Sequence, residues 1–405
     1  MNRDFSFISV DENPALQALK ASHKVLLLQG PVGPFFDRLT HWLETGGSVV
    51  DRVVFSGGDL YDSQRKKPAL KFKKTLNEWP AFFAETLSAL QIETVVLFGQ
   101  ERFYHRAAIQ LCNKLGVTVI VLEEGYFRPG FLTMEIDGVN ARSTSLEKYF
   151  WSGINVVNSK GHTSFFTIST FAFRHYLGIL RGTSVFANYQ HHRCPRMLTY
   201  AFNWLYSWAR KYANLQKNLT MQASLFEAVT PYYFMPFQYE LDSQMVNHSD
   251  FAGNFDAASR VLRSFTANAL PGTFIVFKEH PHGRATQLLK ICVQALAVEL
   301  KVADRVVYLV EGETPKLVKN ALGVVVVNST VGIRAIQHQV PLIALGRAIY
   351  NLPQVCFQGE LDHFWTQAKA PDQLVANAFL DQLKNLTQVS ADIYAARNRA
   401  LTWPR

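Results

Sequence analysis

The feature that most constrains the fold of this chain is a short run of apolar, mostly β-branched residues that recurs along the sequence. The runs lack the apolar–polar alternation of a half-exposed strand, so they predict strands buried on both faces, as in parallel sheets. Segments with helical periodicity separate them, and this rhythm predicts βαβ units in a doubly wound α/β fold. In the first half of the chain the predicted strands are Lys24–Gly30, Val49–Ser56, Thr94–Gly99 and Val117–Glu123, and the predicted helices include Pro80–Leu90 and His105–Leu115.

The same rhythm returns in the second half, and a chain of 405 residues has room for about two or three domains. We therefore predict two Rossmann-like domains that face each other across a cleft, one of residues 1–235 and one of residues 236–405. The predicted strands of the second domain are Thr273–Lys278, Arg305–Val310, Gly323–Asn328 and Pro341–Gly346, and its predicted helices are Gln287–Glu299, Val331–His338 and Pro371–Leu386.

Residues 159–235 form a segment that is rich in aromatic side chains and cations and has no clear strand run. Met197–Leu219 is predicted to be one helix, on which aromatic residues at every fourth position fall along one stripe. Two interpretations stay open: the stripe packs into a core between the domains, or it lies at the headgroup level of an anionic membrane. The stripe consists of Tyr200, Trp204, Trp208 and Tyr212, and the flanking cations are Arg193, Arg196, Arg210, Lys211 and Lys217.

The formal net charge is +9, although charged residues make up only 18% of the chain. This balance suits nucleic acid, an anionic membrane surface or a phosphorylated small substrate. Lys and Arg are spread along the chain apart from a cluster at Arg65–Lys74, and no RNP or helix-turn-helix signature occurs, which argues against nucleic acid. There is no run of about 18 apolar residues, no signal peptide and no CxxC pair. We therefore expect a cytoplasmic protein that touches a membrane only at its surface.

Two loops at predicted strand ends of the first domain carry groups suited to binding or to acid–base chemistry. Gln29 and Gly30 open a turn in which glycine lets a ligand approach the backbone and the next helix start favours anions, although a plain tight turn explains them equally. Glu124 follows another strand, at the sheet edge where ligands bind in open α/β folds. It is either a general acid or base or a solvated loop carboxylate.

Two loops of the second domain combine potential phosphate ligands. Lys278-Glu279-His280-Pro281-His282-Gly283-Arg284 follows one strand, and Asn328-Ser329-Thr330 joins the next to a helix. Hydroxyls and free N–H groups at a helix start form a phosphate cradle, although each group alone also fits an N-cap or a structural histidine. Together they favour a nucleotide-phosphate site.

A polar segment, Pro236–Gln244, lies between the two predicted domains. If it is a strand, Gln238, Glu240 and Asp242 share one face and form a cluster at the mouth of the cleft. The alternative is a linker between the domains.

In their order and spacing these motifs resemble the KpsS/LipB-type capsule polysaccharide β-Kdo glycosyltransferases of Gram-negative bacteria. The resemblance spans nearly the whole chain, and no single motif decides it. The motifs are Leu28–Pro31, Phe55–Asp59, Gly99–His105, Glu123–Pro129, Gln238–Ser249, Lys278–Pro281, Asn328–Gly332 and Gln358–Trp365.

The resemblance implies a GT-B-like architecture and retaining transfer of β-Kdo from CMP-β-Kdo to lysophosphatidylglycerol, peripheral at the cytoplasmic face of the inner membrane. It implies two further partners, a KpsC-type β-Kdo transferase that extends the primer and the capsule export machinery. CMP-sugars carry a monophosphate ester and no Asp-x-Asp motif stands out, so no cofactor and no metal are expected.

The resemblance also implies roles for single residues. Asp242 would attack the anomeric carbon of Kdo and Glu124 would deprotonate the acceptor hydroxyl, as in double displacement. His280 and Lys278 would stabilise charge on the departing phosphate. The remaining expected CMP-binding residues are Pro281, Asn328, Ser329 and Thr330, and those expected on the Kdo and acceptor side are Gln29, Gly30, Arg102, His105, Arg128 and Gln238, with Arg102, His105 or Arg128 holding the Kdo carboxylate.

Three other functions stay open at this stage. The chain could be another GT-B transferase of surface polysaccharide synthesis, sialyltransferase-like or heptosyltransferase-like, and a panel of donor sugars separates these. A nucleic-acid-binding protein and a catalytically inert scaffold of an export complex are the two alternatives from other classes.

Overall fold

The computed structural model describes residues 8–63, 67–153, 163–191, 197–240, 243–281, 283–284 and 286–404. The described strands are β1 (Ile8–Val10), β2 (Lys24–Leu27), β3 (Val49–Val54), β4 (Leu70–Lys71), β5 (Thr94–Phe98), β6 (Thr118–Glu124), β7 (Phe131–Ile136), β8 (Tyr149–Trp151), β9 (Tyr232–Pro236), β10 (Phe274–Lys278), β11 (Val306–Leu309), β12 (Gly323–Val326), β13 (Leu342–Ala344) and β14 (Gln388–Ser390).

The described helices alternate with these strands along most of the chain. They are α1 (Pro14–Ala21), α2 (Phe35–Thr45), α3 (Gly57–Asp62), α4 (Trp79–Leu90), α5 (Phe103–Leu115), α6 (Ser145–Lys148), α7 (Phe165–Arg181), α8 (Met197–Glu227), α9 (Ser243–His248), α10 (Asn254–Asn268), α11 (Leu288–Glu299), α12 (Thr314–Lys319), α13 (Val331–Gln337), α14 (Leu361–Gln367) and α15 (Gln373–Thr387), with short 3-10 turns at Leu76–Glu78, Asn140–Arg142 and Ala303–Arg305.

The chain divides into two compact units, Met1–His192 with Asp381–Arg405, and Arg193–Leu380. This division differs from the predicted boundary at 235/236 in two ways. The whole of helix α8 groups with the second unit, because its polar side chains bond to loops of the second sheet. The C-terminal segment returns to the first unit, because β14 pairs with β7.

The first unit is built on a seven-stranded sheet of order β14-β7-β6-β5-β2-β3-β4. Its five strands from β6 to β4 run parallel, and β7 and β14 extend one edge antiparallel. Numbered along the chain, the parallel strands have the order 5-4-1-2-3, which is the Rossmann order read from the other edge. A separate two-stranded sheet pairs β1 with β8.

The central strands of this sheet are buried on both faces, as their unbroken apolar runs predict. Val25 and Leu27 of β2 face one core, which includes aromatic residues of α2 and Trp403. Leu26 and Leu28 face a second core, which includes Trp79 at the start of α4. Neighbouring residues of one strand therefore feed opposite cores, which is why the strand shows no polar alternation.

The second unit is built on a five-stranded, all-parallel sheet of order β11-β10-β9-β12-β13. Numbered along the chain this order is 3-2-1-4-5, again that of a Rossmann fold. The predicted α/β class with two Rossmann-like units is therefore confirmed. That the two units face each other across a cleft stays a prediction.

The central strand of the second sheet, β9, lies in a segment for which no strand was predicted. The reason is its sequence, Tyr-Tyr-Phe-Met-Pro, which has no β-branched residue and ends in proline. The strand ends at Pro236, and α9 begins at Ser243, so Pro236–Gln244 is not one strand. The strand argument that placed Gln238, Glu240 and Asp242 on one face therefore fails. Asp242 itself lies outside the described residues.

Helix α8 is longer than the predicted Met197–Leu219 and buries a polar face. Ser207, Arg210, Asn218 and Gln222 are buried, whereas Tyr212 is 62% exposed. In its described part the aromatic stripe is therefore not core, because polar contacts with the second sheet occupy the buried face. The side chains of Tyr200 and Trp204 lie outside the described residues.

The described helices include none that is long and apolar enough to cross a membrane.

Candidate functional site

The seven-stranded and the five-stranded sheet each have one place where the connections of two neighbouring strands leave in opposite directions. In the first unit the chain runs from β2 outward to β3 and β4, then returns to β5 on the other side of β2. In the second unit β9 and β12 have the same relation. Ligands of open α/β sheets bind in the crevice that opens at the carboxyl ends of such a strand pair. Some of the predicted site residues lie at these switch points, and others follow the neighbouring strands β6 and β10.

At the first switch point a buried histidine joins the two diverging loops. The backbone N–H of Gln29, after β2, donates to Nε2 of His105 at 3.3 Å, and Nδ1 of His105 lies 2.8 Å from the carbonyl oxygen of Gly99, after β5. A carbonyl only accepts, so the proton sits on Nδ1. Burial, together with the charge of Arg102, lowers the pKa of His105 to about 3. His105 is therefore neutral, and both of its ring nitrogens bond to backbone groups. It does not fit the predicted contact with a Kdo carboxylate and instead positions the two loops.

The side chain of Gln29 points into the fold rather than out of it. Its Nε2 donates to both carboxylate oxygens of Asp59, at 3.0 and 3.2 Å, and to the hydroxyl of Tyr189 at 3.1 Å. Asp59 also accepts the N–H groups of Phe55 and Ser56 and closes a capping box at the start of α3. Gln29 therefore ties the loop after β2 to the loop after β3, which sequence reasoning did not foresee.

Arg102 and Gly30 close the same switch point. Nη1 of Arg102 donates to the carbonyl oxygen of Gly30 at 3.0 Å, and its guanidinium lies 5.6 Å from the centre of the Phe98 ring. A Cβ added to Gly30 would lie 2.9 Å from the ring of Phe36. Packing alone therefore requires glycine at this position, whatever a ligand would add. Arg102 remains half-buried at the edge of the loop.

Glu124 ends the neighbouring strand β6 and is held by two partners. The hydroxyl of Tyr394 donates to its Oε1 at 2.9 Å, and Arg128 forms an ion pair with its Oε2. The carboxylate and the guanidinium are both partly exposed, at 39% and 49% of their side-chain surface. The structure thus brings Glu124 and Arg128 together, and it adds Tyr394 from the C-terminal segment, a contact that local sequence does not signal.

The loop that carries Glu124 is fixed on its far side by a buried polar network. The N–H of Tyr126 donates to Oε1 of Gln388 at 2.8 Å, and the Tyr126 hydroxyl donates to Glu135 at 3.4 Å. Ser145 donates to the same carboxyl group at 2.7 Å, as does Ser143. Burial raises the pKa of Glu135 to about 7. This network holds the loop after β6 in place, and it was not predicted from the sequence.

At the second switch point the side-chain amide of Gln238 bonds to both the side chain and the backbone of Asn328. Nε2 of Gln238, after β9, donates to Oδ1 of Asn328 at 2.8 Å, and the N–H of Asn328, after β12, donates to Oε1 of Gln238 at 3.1 Å. Asn254 at the start of α10 bonds to both backbone groups of Gln238. All three residues are buried. The predicted residues Gln238 and Asn328, 90 positions apart, therefore form one unit.

The loop after β10 begins in a cluster of buried charges. Lys278, Glu279, Arg284 and Glu311 are each less than a tenth exposed, and Arg210 of α8 joins them. Nζ of Lys278 donates to the carbonyl oxygen of Glu279 at 3.2 Å, and burial lowers the pKa of its ammonium group. Lys278 therefore contributes charge from beneath the loop and does not extend into solvent.

Arg210 holds this loop, which we call the 278–286 loop, against the sheet. Its Nη1 donates to the carbonyl oxygen of Arg284 at 2.7 Å and also to that of Thr286, and its Nη2 reaches Oε1 of Glu279 at 3.4 Å. The hydroxyl of Ser207, one turn earlier on α8, donates to the carbonyl oxygen of Pro281 at 3.3 Å. The sequence draws attention to the aromatic stripe of α8. The described buried side chains of this helix, Ser207 and Arg210, instead bind the 278–286 loop through its carbonyl oxygens.

The more accessible predicted groups of the second unit lie above these supports. His280 is half-buried, with its ring centre 6.4 Å from that of Tyr239. Ser329 Oγ accepts the N–H of Val331 at 3.3 Å, whereas Thr330 precedes α13 without a side-chain cap bond. Because β9 lies between β10 and β12, the loops that carry His280, Gln238 and Asn328–Thr330 leave three adjacent strands at one sheet edge.

Among the residues that the structure describes, no group of three or more His, Cys, Asp or Glu side chains is placed to hold a metal ion.

A family model described as a capsule polysaccharide biosynthesis protein matches residues 93–394, which is more than half of the 405-residue chain. The chain belongs to this family. The match includes Glu124, Gln238, His280 and Asn328, whereas Gln29 and Gly30 precede it.

Two relatives of the capsule family match almost the whole chain. It is 31% identical over 395 residues to the capsule polysaccharide export protein KpsS of Escherichia coli, which covers 94% of this chain and 99% of the relative. It is 30% identical over 400 residues to the capsule polysaccharide modification protein LipB of Neisseria meningitidis serogroup A, which covers 96% of this chain and 95% of the relative. The predicted resemblance to the KpsS/LipB type is therefore confirmed.

Solved structures similar to this capsule family member include two transferase structures of Thermosulfurimonas dismutans KpsC. The β-Kdo 2,4 transferase has a TM-score of 0.43 and 14% identity and covers 88% of this chain and 89% of that chain. The β-Kdo 2,7 transferase has a TM-score of 0.38 and 12% identity and covers 90% of this chain and 98% of that chain. The fold assignment rests on the two strand orders and not on these likenesses.

Proposed function

We propose that this capsule family member is a retaining glycosyltransferase that moves β-Kdo from CMP-β-Kdo to lysophosphatidylglycerol and so starts the Kdo linker of a capsule polysaccharide. The observation that carries the proposal is the joined pair Gln238 and Asn328 at the second switch point, beside the loop of His280, in a chain of this family. A nucleotide site is expected at such a place. The similar KpsC structures are those of Kdo transferases, which agrees with the proposed donor sugar.

On the donor side, His280 and the hydroxyls of Ser329 and Thr330 are proposed to contact the CMP phosphate, with Pro281 shaping the loop. Lys278 adds positive charge beneath the loop that carries His280. Because its ammonium group is buried, it is suited to attract the phosphate at a distance rather than to contact it directly. Gln238 holds the two loops in place through its bonds to the side chain and backbone of Asn328. No cofactor or metal enters the proposal, because Lys278 and the hydrogen-bond donors of the two loops are proposed to stabilise the leaving phosphate.

The proposed reaction is a double displacement. The carboxylate of Asp242 attacks the anomeric carbon of Kdo, the bond from that carbon to the phosphate oxygen breaks, and CMP leaves with the electron pair. The acceptor hydroxyl then attacks the same carbon, Glu124 takes its proton, and the ester to Asp242 breaks. Two inversions give net retention. Tyr394 and Arg128 orient the carboxylate of Glu124 for the proton transfer.

On the acceptor side, Arg128 and Arg102 are the cations proposed to meet the Kdo carboxylate, while Gln29, Gly30 and His105 shape the loop beside them. The acceptor places the enzyme at the cytoplasmic face of the inner membrane as a peripheral protein, with an anionic membrane surface as a partner. A KpsC-type β-Kdo transferase would extend the product, and the export machinery would take the completed chain. Nucleic acid is not part of the proposal.

The test is incubation of the purified chain with CMP-β-Kdo and lysophosphatidylglycerol, followed by intact-mass analysis of both lipid and protein. We expect a lipid product heavier by one Kdo residue, and a protein adduct of the same added mass when Glu124→Gln slows the second step. Asp242→Asn should abolish both product and adduct. Glu123→Gln is the matched control, because neighbouring strand residues point to opposite sides and Glu123 has no proposed role.

Two results would contradict the proposal. Turnover of UDP- or ADP-sugars without turnover of CMP-β-Kdo would assign the chain to another transferase, such as a heptosyltransferase-like enzyme. Full activity of both Asp242→Asn and Glu124→Gln would exclude the double displacement.

A further inference from the structure

Helix α7 of the first unit presents large apolar side chains to solvent. On a helical wheel of 100° per residue, Phe165, Phe166, Phe173 and Leu180 fall within one arc of about 100°. Phe166 is 79% exposed and Phe173 is 69% exposed, and Phe165 and Leu180 are each at least half exposed. A surface helix normally turns its polar side outward, so the exposed apolar arc of this helix is a departure from that pattern.

The opposite side of α7 packs closely against the first unit. Gly178 and Gly182 pack against Gly57 at the start of α3 so closely that a Cβ on Gly57 would lie 2.1 Å from the carbonyl oxygen of Gly178. Nδ1 of His175 lies 2.6 Å from Oδ2 of Asp62, and both side chains are buried. The orientation of α7 is therefore fixed, and its apolar arc cannot rotate into the core.

Cations lie beside the apolar arc, and acidic residues are missing from its surroundings in the sequence. Arg181 and Arg174 lie about 60° and 80° beyond one edge of the arc, and both are exposed. Within the first unit, the sequence from Lys148 to His192 contains four Lys or Arg residues and no Asp or Glu, so the part of the chain that carries α7 is basic.

We propose that α7 is a membrane-docking helix that lies in the plane of an anionic lipid bilayer, with the apolar arc among the acyl chains and Arg174 and Arg181 at the headgroups. An exposed apolar stripe with cations beside it, on a helix that is not long and apolar enough to span a membrane, is the pattern of interfacial helices. The acid-free, basic stretch supplies the charge complementarity that selects anionic lipid over a neutral surface. This surface differs from the α8 stripe that the sequence suggested.

The docking helix also lies beside the candidate site of its own unit. A Cβ on Gly33, in the loop after β2, would lie 3.1 Å from the ring of Phe171 on α7, and one on Gly58 would lie 2.7 Å from the ring of His175. The buried side of α7 thus contacts the loops that hold Gln29 and Asp59. A helix is about 10 Å thick, so bilayer contact on its outer side brings lipid headgroups to that distance from the first switch point. The functional meaning of this short distance rests on the proposed lipid acceptor, whereas the docking of α7 on the bilayer does not.

The experiment is flotation of the full chain with vesicles of phosphatidylcholine alone and of phosphatidylcholine with 30–40% phosphatidylglycerol (about one anionic lipid in three). We expect binding to the anionic vesicles that weakens with salt. The double variant Phe166→Ala/Phe173→Ala should lower the partition coefficient at least about tenfold, because two exposed rings lose their place among acyl chains. Arg174→Gln should lower it about fivefold on anionic vesicles and leave the neutral ones unchanged.

The matched control is Leu288→Ala/Val298→Ala on α11 of the second unit. These two side chains are 64% and 67% exposed, so the control removes comparable exposed apolar surface from a helix that also carries an acidic residue, Glu299. Vesicle binding that is unchanged in the α7 variant, or lowered equally in the control, would overturn the proposal. So would a dimer in the absence of lipid that the α7 variant converts to monomer, because the arc would then cover a second copy.

Activity separates this proposal from the proposed reaction. The α7 variant should keep full turnover on acceptor dispersed in detergent and lose it on acceptor embedded in vesicles. Vesicle binding by a chain that turns over no CMP-β-Kdo would refute the reaction and leave the docking helix standing. Turnover on vesicles that survives loss of binding would refute the docking helix and leave the reaction standing.

Discussion

The buried carboxyl group of Glu135 makes the stability of the first unit depend on pH. Glu135 lies on β7, is 1% exposed and accepts hydrogen bonds from Ser143, Ser145 and Tyr126. Burial outweighs these bonds and raises its pKa from 4.5 to about 7. The native state therefore binds this proton more tightly than the unfolded chain does.

The sign and size of the effect follow from proton linkage. Below pH 4.5 the group is protonated in both states and the full stability is present. Between pH 4.5 and 7 the native state holds more protons than the unfolded state, so the free energy of unfolding falls as the pH rises. Each pKa unit corresponds to about 1.4 kcal/mol, so the loss reaches about 3 kcal/mol and is complete above pH 7.

The variant Glu135→Gln removes this titration while keeping the shape of the side chain. We expect the free energy of unfolding of Glu135→Gln, relative to that of the natural chain, to rise by about 3 kcal/mol between pH 4.5 and pH 8. The measurement is urea unfolding followed by far-UV circular dichroism at four pH values in that range. Glu85→Gln on α4 is the control, since Glu85 is exposed and should give a flat difference.

A difference between Glu135→Gln and the natural chain that does not change with pH would refute this reasoning. It would mean that the three hydroxyl donors keep the carboxyl group ionised in spite of its burial. A difference that falls with pH would mean that they hold its pKa below 4.5.

Three further substitutions test the supports of the candidate site. Gly57→Ala should destabilise the chain by about 1–3 kcal/mol, because the new Cβ overlaps the carbonyl oxygen of Gly178, and the urea midpoint measures this. Gln238→Leu removes the donor to Oδ1 of the buried Asn328 and the acceptor of its backbone N–H, and should cost about 1–3 kcal/mol in unfolding free energy and weaken CMP binding in calorimetry. Arg210→Met removes the ion-pair partner of the buried Glu279 carboxylate, which keeps only the Tyr308 hydroxyl, and the donor to two carbonyl groups, and should cost about 3–5 kcal/mol by the same unfolding assay.

Strands whose sequence is β-branched and unbroken could be predicted from the sequence. β5, predicted as Thr94–Gly99, forms as Thr94–Phe98, and β10, predicted as Thr273–Lys278, forms as Phe274–Lys278. β9 and β14 could not be predicted, because β9 is aromatic and ends in proline, and β14 is three residues long and depends on pairing with β7 far away in the sequence. Local propensity decides the first pair, and tertiary pairing decides the second.

The candidate site divides in a similar way. That the loops after β2, β6, β10 and β12 carry polar groups is visible in the sequence, because those strands are predicted, whereas the loop after β9 appears there only as a polar segment between the two predicted domains. What each side chain does is not visible, because it depends on partners from elsewhere. His105 is buried and bonds to the backbone of two loops. Glu124 accepts a hydrogen bond from Tyr394, which lies 270 residues further along the chain. Position at a strand end therefore predicts where a site lies, but not which of its residues remain available to a ligand.

The two switch points are built by the same logic with different chemistry. In each unit the loops after the first and fourth Rossmann strands diverge, and in each a pair of side chains ties them together across the crevice. The first unit uses His105 and Arg102, which bond to backbone groups at Gln29 and Gly30. The second uses the amides of Gln238 and Asn328, which bond to each other. A crevice that must bind a ligand cannot be filled by apolar packing, so hydrogen bonds along its floor have to hold the diverging loops. We therefore expect the half-buried residues at these loops, Arg102 in one unit and His280 in the other, to be the ones that meet substrate.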